Sequence, residues 1–300
     1  MFHLFLRRMK GFFLVFSVLL LISAKVYSSD IHHMNIHNEK NQLILDVLRL
    51  ALSKSSEGFN YVESSNSNAN LVRNKNKIKQ GTLSVLWAGT SYSLEEELLA
   101  IRIPVLKGLL GHRIFIIREK EQPKFSKINQ LKDLAKLIAG QGTFWEDARV
   151  LRSNNIPIVT SNKYQNLFPM LAGGRFDYFP RALHEPWVEL KDYQKLDLAV
   201  EQNIMLVYPF AMYFFVSPDN VKLAKQIEVG LDRAIEDGSF DQLFFNNPMI
   251  KNALQKAKVS QRKIFYLTNP NMPAEMLIKR KKYWLDLEGL VSDKSNAKVH

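Results

Sequence analysis

Residues 131–179 read LKDLAKLIAGQGTFWEDARVLRSNNIPIVTSNKYQNLFPMLAGGRFDYF, and this stretch decides the fold. Short branched or aromatic runs alternate in it with longer helix-forming segments, at intervals of about 20 residues. The pattern predicts strands at 137–139, 157–160 and 176–179, separated by helices at 144–153 and 163–172. Because strands that alternate with helices pair in parallel and are covered by those helices, the stretch predicts an α/β fold with a mostly parallel sheet.

The same alternation continues on both sides of this stretch. Branched and aromatic residues predict strands at 83–88, 112–118 and 213–216. Amphipathic spacing predicts helices at 41–54 and 218–236. The chain has 300 residues, 46% of them apolar, and shows no internal repeat. It is therefore long enough for two α/β domains of ordinary size.

The N-terminus has the three parts of a secretory signal. A basic cluster at residues 7–10 precedes an unbroken apolar run at 11–22, and small residues follow. The run is shorter than the roughly 20 residues that span a bilayer. We therefore assign residues 1–28 to a signal peptide cleaved after Ser28, with cleavage after Ala24 as the alternative. An uncleaved N-terminal anchor is the competing interpretation.

The absence of cysteine narrows the compartment. The sequence contains none, which excludes disulfide bonds and also a lipid-modified cysteine after the signal. An exported chain without disulfides is typical of a bacterial periplasm, where a core of this size needs no covalent staple. We expect a periplasmic protein with its signal cleaved and no lipid anchor.

The formal net charge of +12 raises the question of a nucleic-acid partner. Nucleic-acid-binding proteins concentrate basic residues on one face, whereas those of this chain are scattered, apart from the run at 279–282. We expect no nucleic-acid partner, and interpret the charge as favouring solubility and attraction to anionic surfaces.

Five short motifs, taken in order, resemble one known family, the family 3 extracellular solute-binding proteins. The motifs are LKDL at 131–134, GT at 142–143, LAGGRFD at 171–177, FFVSP at 214–218 and DGSF at 237–240. The first three are similar to the second lobe of that family, and the last two to its return crossing and closing helices.

The resemblance implies a type II periplasmic binding protein fold, with two α/β lobes joined by two crossing segments. Lobe 1 would comprise residues 29–112 and 214–285, lobe 2 would comprise residues 119–208, and residues 286–300 would form a flexible tail. Solutes of such proteins bind in the cleft between the lobes, which close over them.

The likeness covers roughly residues 40–250. Within it, the strings at 140–147 and 174–181 are similar to a subgroup whose ligand is unassigned. The resemblance implies a monomer that binds a small-molecule solute without a cofactor, for uptake or sensing. Its partner would be a membrane component, either an ABC transporter or a receptor.

One turn that follows a strand supplies candidate binding residues in lobe 1. Trp87 lies at the end of the strand predicted over 83–88, and Thr90 and Ser91 follow it. The resemblance implies that hydroxyl and backbone groups of this turn contact the solute. Trp87 is compatible both with a cleft wall and with a place in the core.

A second turn supplies candidates in lobe 2. Thr143 and Glu146 have the spacing of a capping box, which predicts a helix that begins at Thr143. The free amides of such a helix attract an anion, and Gly142 would allow a ligand close approach. An ordinary helix cap explains the same residues. Trp145 is compatible with stacking on a solute and with core packing.

Two positions depart from the amino-acid-binding members of the family. Those members carry an arginine for the α-carboxylate where this chain has Glu95, and an acid for the α-amino group where it has Ala182. Arg102 and Arg181 lie near these positions and are the candidate cleft residues. Because arginines lie where the amino-acid-binding members would place an acid for the amino group, the sequence predicts a small polar or anionic solute, which need not be an amino acid.

No sequence motif of a catalyst is present. The chain lacks HExxH, GxSxG, a phosphate loop and a cysteine nucleophile, so we expect a binding protein and not an enzyme. The competing interpretation is a dehydratase-like lyase on the same scaffold, with Glu185 or Glu95 transferring a proton. A sensor input protein for a membrane receptor is the third. We expect no metal site, although histidines cluster after the signal at 32–37.

Overall fold

The computed structural model describes residues 28–64, 70–272, 281–287 and 289. The predicted signal peptide up to residue 27, and most of the predicted tail, lie outside these residues. In the ranges that the structure describes, no helix combines the length and the apolar character needed to cross a membrane.

The described residues form an α/β fold. Its strands are Ser29–His33 (β1), Phe59–Glu63 (β2), Leu86–Gly89 (β3), Leu99–Ile101 (β4), His112–Arg118 (β5), Ala139–Gly142 (β6), Ile158–Ser161 (β7), Tyr178–Ala182 (β8), Leu198–Val200 (β9), Ile204–Val207 (β10), Met212–Val216 (β11) and Lys263–Tyr266 (β12).

Its α-helices are Glu39–Ser53 (α1), Leu71–Lys79 (α2), Tyr92–Glu97 (α3), Gln122–Ser126 (α4), Leu131–Leu134 (α5), Glu146–Ser153 (α6), Leu167–Ala172 (α7), Pro186–Glu189 (α8), Val221–Glu236 (α9), Ser239–Asn246 (α10) and Pro248–Ala257 (α11). Short 3-10 helices lie at Leu109–Gly111, Glu119–Glu121, Tyr164–Asn166, Leu190–Leu196, Val259–Gln261 and Lys281–Tyr283.

Lobe 2 is built on a seven-stranded sheet in the order β12-β10-β5-β8-β6-β7, with β9 paired to β5. The sheet is mixed: β6 runs parallel to β7 and β8, and β10 runs parallel to β12. The long strand β5 is antiparallel to β8, β9 and β10. It is apolar from Ile114 to Ile117 because both of its faces are covered.

Lobe 1 contains two smaller sheets. Strands β1 and β2 pair in parallel, and β11 lies between β3 and β4, antiparallel to both. Helix α1 packs along α9, burying an apolar face that includes Leu43, Val47 and Leu48. The two-lobed α/β class predicted from the sequence is therefore confirmed.

Two segments connect the sheets of the two lobes. One enters β5 at His112, and the other runs from Tyr208 through Pro209 into β11. The amide of Tyr208 donates to the carbonyl of Gly111 at 3.1 Å, so the two crossings are tied together where they leave lobe 2.

The end of the chain departs from the predicted arrangement. Strand β12 falls inside the segment 214–285 predicted for lobe 1, yet it pairs along the whole of β10 in the lobe 2 sheet. Its Ile264 and Phe265 pack against the large core. The sequence pattern did not predict this strand, because β12 lies far along the chain from its partner β10.

After β12, residues 267–272 return towards lobe 1, and we call them the C-terminal strap. Asn269 donates to the carbonyl of Pro209 at 2.6 Å, and Asn271 donates to Glu146 at 2.5 Å. Met272 then packs in a core cluster of lobe 1. The strap is thus a further link between the lobes, beside the two crossings.

Candidate functional site

A cleft of about 810 Å³ lies between the lobes. Lobe 1 contributes the start of α1 and the end of β3, and lobe 2 contributes the start of α6, the end of β8 and α8. The crossing segment adds Phe210. The volume is within the range of sites that enclose a small molecule, and such sites combine apolar walls with a few placed polar groups.

Four of the residues predicted for binding line this cleft: Trp87, Ser91, Trp145 and Arg181. Their role in binding stays a prediction. The indole of Trp87 donates to Asn41 at 3.4 Å and stacks on His33, so its orientation is fixed by lobe 1. Ser91 caps α3 by accepting from the amide of Leu94.

Thr90 and Arg102 do not line the cleft. The Thr90 hydroxyl donates to Glu95 at 2.5 Å, and the Nε of Arg102 donates to the other carboxylate oxygen at 2.6 Å. Both residues thus converge on Glu95 outside the cleft wall. Sequence reasoning could not show this because the pairing depends on the turn between α3 and β4.

The predicted capping box at Thr143 is wrong. The amide of Thr143 donates to the carbonyl of Ser161 at 3.0 Å, so the ladder between β6 and β7 continues one residue further than expected. The chain turns only afterwards, and α6 begins at Glu146 without a side-chain cap. The carboxylate of Glu146 accepts instead from Asn271.

Gly142 lies beneath Trp145 and does not line the cleft. A Cβ atom at Gly142 would lie 2.5 Å from the indole ring. The glycine therefore accommodates the tryptophan and leaves no room for the approach of a ligand. The indole in turn stacks on Phe179 with ring centroids 6.2 Å apart, while its other surface lines the cleft.

Six ion-paired side chains line one side of the cleft, and we call them the floor network. Its members are Lys40, Arg113, Asp147, Arg181, Glu185 and Glu189.

Arg181 is the most firmly held member of the floor network. Its Nε and Nη2 donate to the two oxygens of Glu189 at 2.8 and 2.5 Å, and Nη2 lies 2.9 Å from Glu185. The guanidinium also lies 5.0 Å over the Trp145 ring. Burial alone would lower the pKa of Arg181, but Glu185 and Glu189 outweigh it and raise the pKa, so the side chain is a fixed cation.

Arg113 was not predicted from the sequence. Its Nη2 lies 2.6 Å from Asp147, which also accepts from the Tyr208 hydroxyl, and its Nη1 lies 3.8 Å from Glu185. The side chain is 3% exposed. The available signal was a charged residue at the start of the apolar strand HRIFIIR, since such a residue is buried only when it is paired.

His184 lies beside the floor network, 3% exposed. Neither ring nitrogen has a hydrogen-bond partner among the described residues. Burial lowers the pKa of His184 to about 4. The ring is therefore neutral at neutral pH, with one donor and one acceptor nitrogen.

Neither of the two carboxylates considered for proton transfer, Glu185 and Glu95, has the properties of a general base in the cleft. Burial would raise the pKa of Glu185, but the charges of Arg181 and Lys40 outweigh it and hold the pKa well below its usual value. A general base needs a pKa near the working pH. Glu95 lies outside the cleft. Within the part of the chain that the structure describes, no three acidic or histidine side chains are placed to hold a metal.

No family model matches the sequence, and no curated protein is significantly similar to it. Solved structures do match. The VFT2 domain of BvgS from Bordetella pertussis, a double mutant, superposes with a TM-score of 0.56 at 13% identity, over 73% of this chain and 93% of that one.

Two structures described as an ancestral arginine-binding protein also match. The one bound to glutamine gives a TM-score of 0.51 at 10% identity, over 74% of this chain and 98% of that one. The one bound to arginine gives 0.50 at 12% identity, over 73% and 98%. At these identities the likeness shows the fold, and this chain has the two-lobed type II fold that the sequence predicted.

Proposed function

We propose that this protein is an exported solute-binding protein that captures a small polar solute in the interlobe cleft, for uptake or sensing. The observation that carries the proposal is the cleft itself, whose aromatic walls and fixed polar floor come from two lobes tied at a common hinge. Such a cleft can enclose a solute when the lobes approach each other.

The charges of the cleft favour an uncharged or zwitterionic solute over an anion. The prediction of an anionic solute was based on the cations offered by Arg102 and Arg181. Arg181 and Arg113 both have carboxylate partners within the floor network, and Arg102 lies outside the cleft. An anionic group would therefore meet no uncompensated cation at the floor.

The proteins of the same fold support a solute of about amino-acid size. Two of them are named as arginine-binding proteins and are bound to glutamine and to arginine. We propose lobe boundaries at 29–112 and 214–285 for lobe 1 and at 119–208 for lobe 2, except that β12 lies with lobe 2. We also propose a periplasmic monomer that delivers its solute to a membrane transporter or receptor.

The experiment is to purify the protein, identify any co-purified solute by native mass spectrometry, and titrate refolded protein with neutral, anionic and cationic solutes while the melting temperature is followed. A binding solute at a hundred times its Kd should stabilise the protein by about 2.7 kcal/mol. Trp145→Ala should abolish that stabilisation, whereas Tyr266→Ala, which removes an exposed side chain at the end of β12, should leave it intact. A protein that carries no solute and responds to none would contradict the proposal.

A further inference from the structure

Lys40 differs from the rest of the floor network in its position. The other members belong to lobe 2. They lie on β5, β8, α6 and α8 or, in the case of Glu185, immediately before α8. Lys40 belongs to the first turn of α1 in lobe 1, and its Nζ lies 3.6 Å from Oε1 of Glu185. We call Lys40 and Glu185 the cross-cleft pair, because their contact joins the two lobes through the site.

The two oxygens of Glu185 have different roles. Oε2 accepts from the amide of Ala182 at 2.9 Å and lies 2.9 Å from Arg181 and 3.8 Å from Arg113, all in lobe 2. The ammonium of Lys40 approaches the carboxylate through the other oxygen, Oε1, at 3.6 Å. Lobe 2 therefore satisfies one oxygen by itself and presents the other to the opposite lobe.

The charge of the floor depends on this contact. The network contains three cations and three carboxylates, so it is balanced while Lys40 is in place. If the lobes separate and Lys40 moves away, the lobe 2 half keeps two cations for three carboxylates. Both side chains of the cross-cleft pair are largely shielded, 27% and 13% exposed, so this imbalance is only partly screened by water.

Two further carboxylates border the cleft outside the network. Glu146 accepts from Asn271 and lies 3.7 Å from Arg149, and Glu39 is exposed to solvent. Solvent and salt screen the charge of the exposed Glu39 strongly, whereas Glu146 is 22% exposed and is engaged by Asn271 and Arg149. The balance at Glu185 is therefore one of the electrostatic terms that a bound solute meets.

We propose that Lys40 is a specificity-determining residue, whose ammonium occupies Oε1 of Glu185 and so reserves the closed cleft for uncharged or zwitterionic solutes. This inference rests on the proposed function of the cleft. A solute with a net positive charge competes with Lys40 for the same oxygen, and its binding leaves the displaced ammonium without a partner in the closed site. A neutral solute closes the lobes with the cross-cleft pair intact.

The first arm of the test needs no solute. Because the chain contains no cysteine, the double variant Val221→Cys and Ile138→Cys allows one spin label on each lobe, at exposed positions that do not line the cleft. Distances between the labels are measured by pulsed electron resonance in this parent, in Lys40→Gln, and in Lys136→Gln as the matched control. Lys136 is 74% exposed and pairs with Asp133 of its own segment.

In this arm, Lys40→Gln should lower the population at short distance about two- to fivefold, and the control should leave it unchanged. Added salt at 0.5 M should lower the short-distance population of the parent only part of the way towards that of Lys40→Gln, because the pair is largely shielded, and should add nothing to Lys40→Gln. A Lys40→Gln protein with the parent's distance distribution would overturn the proposal.

The second arm measures solute preference with arginine and citrulline, which share a skeleton and differ by the positive charge. Calorimetric affinities should show the ratio of arginine to citrulline binding rising at least about fivefold in Lys40→Gln and staying constant in Lys136→Gln. An unchanged ratio overturns the specificity role. If the distance shift appears while no solute binds any of these proteins, the cross-cleft role is supported and the proposed solute-binding function fails.

Discussion

At the residue scale, the ion pair between Arg262 and Glu201 is the most deeply buried charge contact outside the cleft in the described chain. The side chains are 3% and 0% exposed, with Nη1 of Arg262 3.3 Å from Oε2 of Glu201. The arginine also donates to the carbonyls of Ala257 and Ile204. It therefore joins the segment before β12 to the start of β10.

We expect Arg262→Met to lower the free energy of unfolding by about 3 kcal/mol, because the variant leaves the charge of Glu201 buried without its partner. Urea unfolding followed by tryptophan fluorescence measures this. Lys222→Gln is the control, since its pair with Glu57 is largely exposed and should contribute less than about 0.5 kcal/mol. Equal losses of unfolding free energy in the two variants would contradict the larger contribution that we assign to the buried pair.

Acid sensitivity is a second property of single residues. Burial lowers the pKa of both His112 and His184 from the usual 6.5 to about 4. The unfolded chain binds these protons near pH 6.5 and the folded chain only near pH 4. Stability should therefore be full above pH 6.5 and decline as the pH falls from 6.5 to 4.

We expect His184→Gln to remove about half of this decline, and the part removed should be of the order of 3 kcal/mol of unfolding free energy. Unfolding free energies from pH 7.5 to 4 in steps of half a unit measure it. His37→Gln, at an exposed position, is the control and should keep the full slope. A His184→Gln protein with the slope of the wild type would show that this histidine does not carry the effect.

Residue-level sequence reasoning found the cleft's aromatic and strand-end residues but not their electrostatics. Trp87 lies at the end of the strand predicted over 83–88, and Trp145 follows the strand that ends at Gly142, so both positions were accessible from local pattern. The carboxylate partners of Arg181 lie four and eight residues later in the chain, so their pairing could have been predicted from the sequence. The contact of Arg113 with Asp147 joins residues 34 positions apart on β5 and α6, and no local pattern contains such a pairing.

At the scale of elements, helices α1 and α9 approach each other unusually closely. The contact is made at Gly230, where a Cβ atom would lie 1.9 Å from the carbonyl oxygen of Ala51. The obstacle is backbone, so a side-chain movement cannot relieve it. The glycine therefore sets the spacing of the two helices that form the outer layer of lobe 1.

Gly230→Ala should lower the free energy of unfolding by about 2 kcal/mol through overpacking, despite the roughly 1 kcal/mol by which alanine favours a helix over glycine. Chemical unfolding shows directly whether the variant lowers or raises the free energy of unfolding. Glu228→Ala in the same helix is the control and should stay within about 0.5 kcal/mol of the wild type. A stabilised Gly230→Ala protein would mean that the helices can move apart freely.

Elements with a clear period were predicted well, and elements fixed by distant partners were not. The strand at 112–118 has the predicted bounds, since branched and aromatic residues fill it. No strand was predicted at β4, because its three residues acquire their extended form from pairing with β11. Strand β12 was missed for the same reason.

At the scale of the whole molecule, the chain after residue 261 should be required for a complete fold. A protein that ends at Gln261 loses β12 and the C-terminal strap, and exposes the edge of β10. We expect a lower melting temperature and self-association, measured by calorimetry and size-exclusion chromatography. A protein that ends at Leu287 should behave as the full chain does, and a monomeric, equally stable shorter protein would contradict this.

The late position of β12 also has a consequence for how the molecule is assembled during synthesis. Chains fold from their N-terminal end as they emerge, but lobe 2 receives its edge strand only from residues 263–266. Nearly the whole chain must therefore be delivered before either lobe is tied to the other by the strap. During that interval the open edge of β10 is the surface that a holding chaperone would recognise.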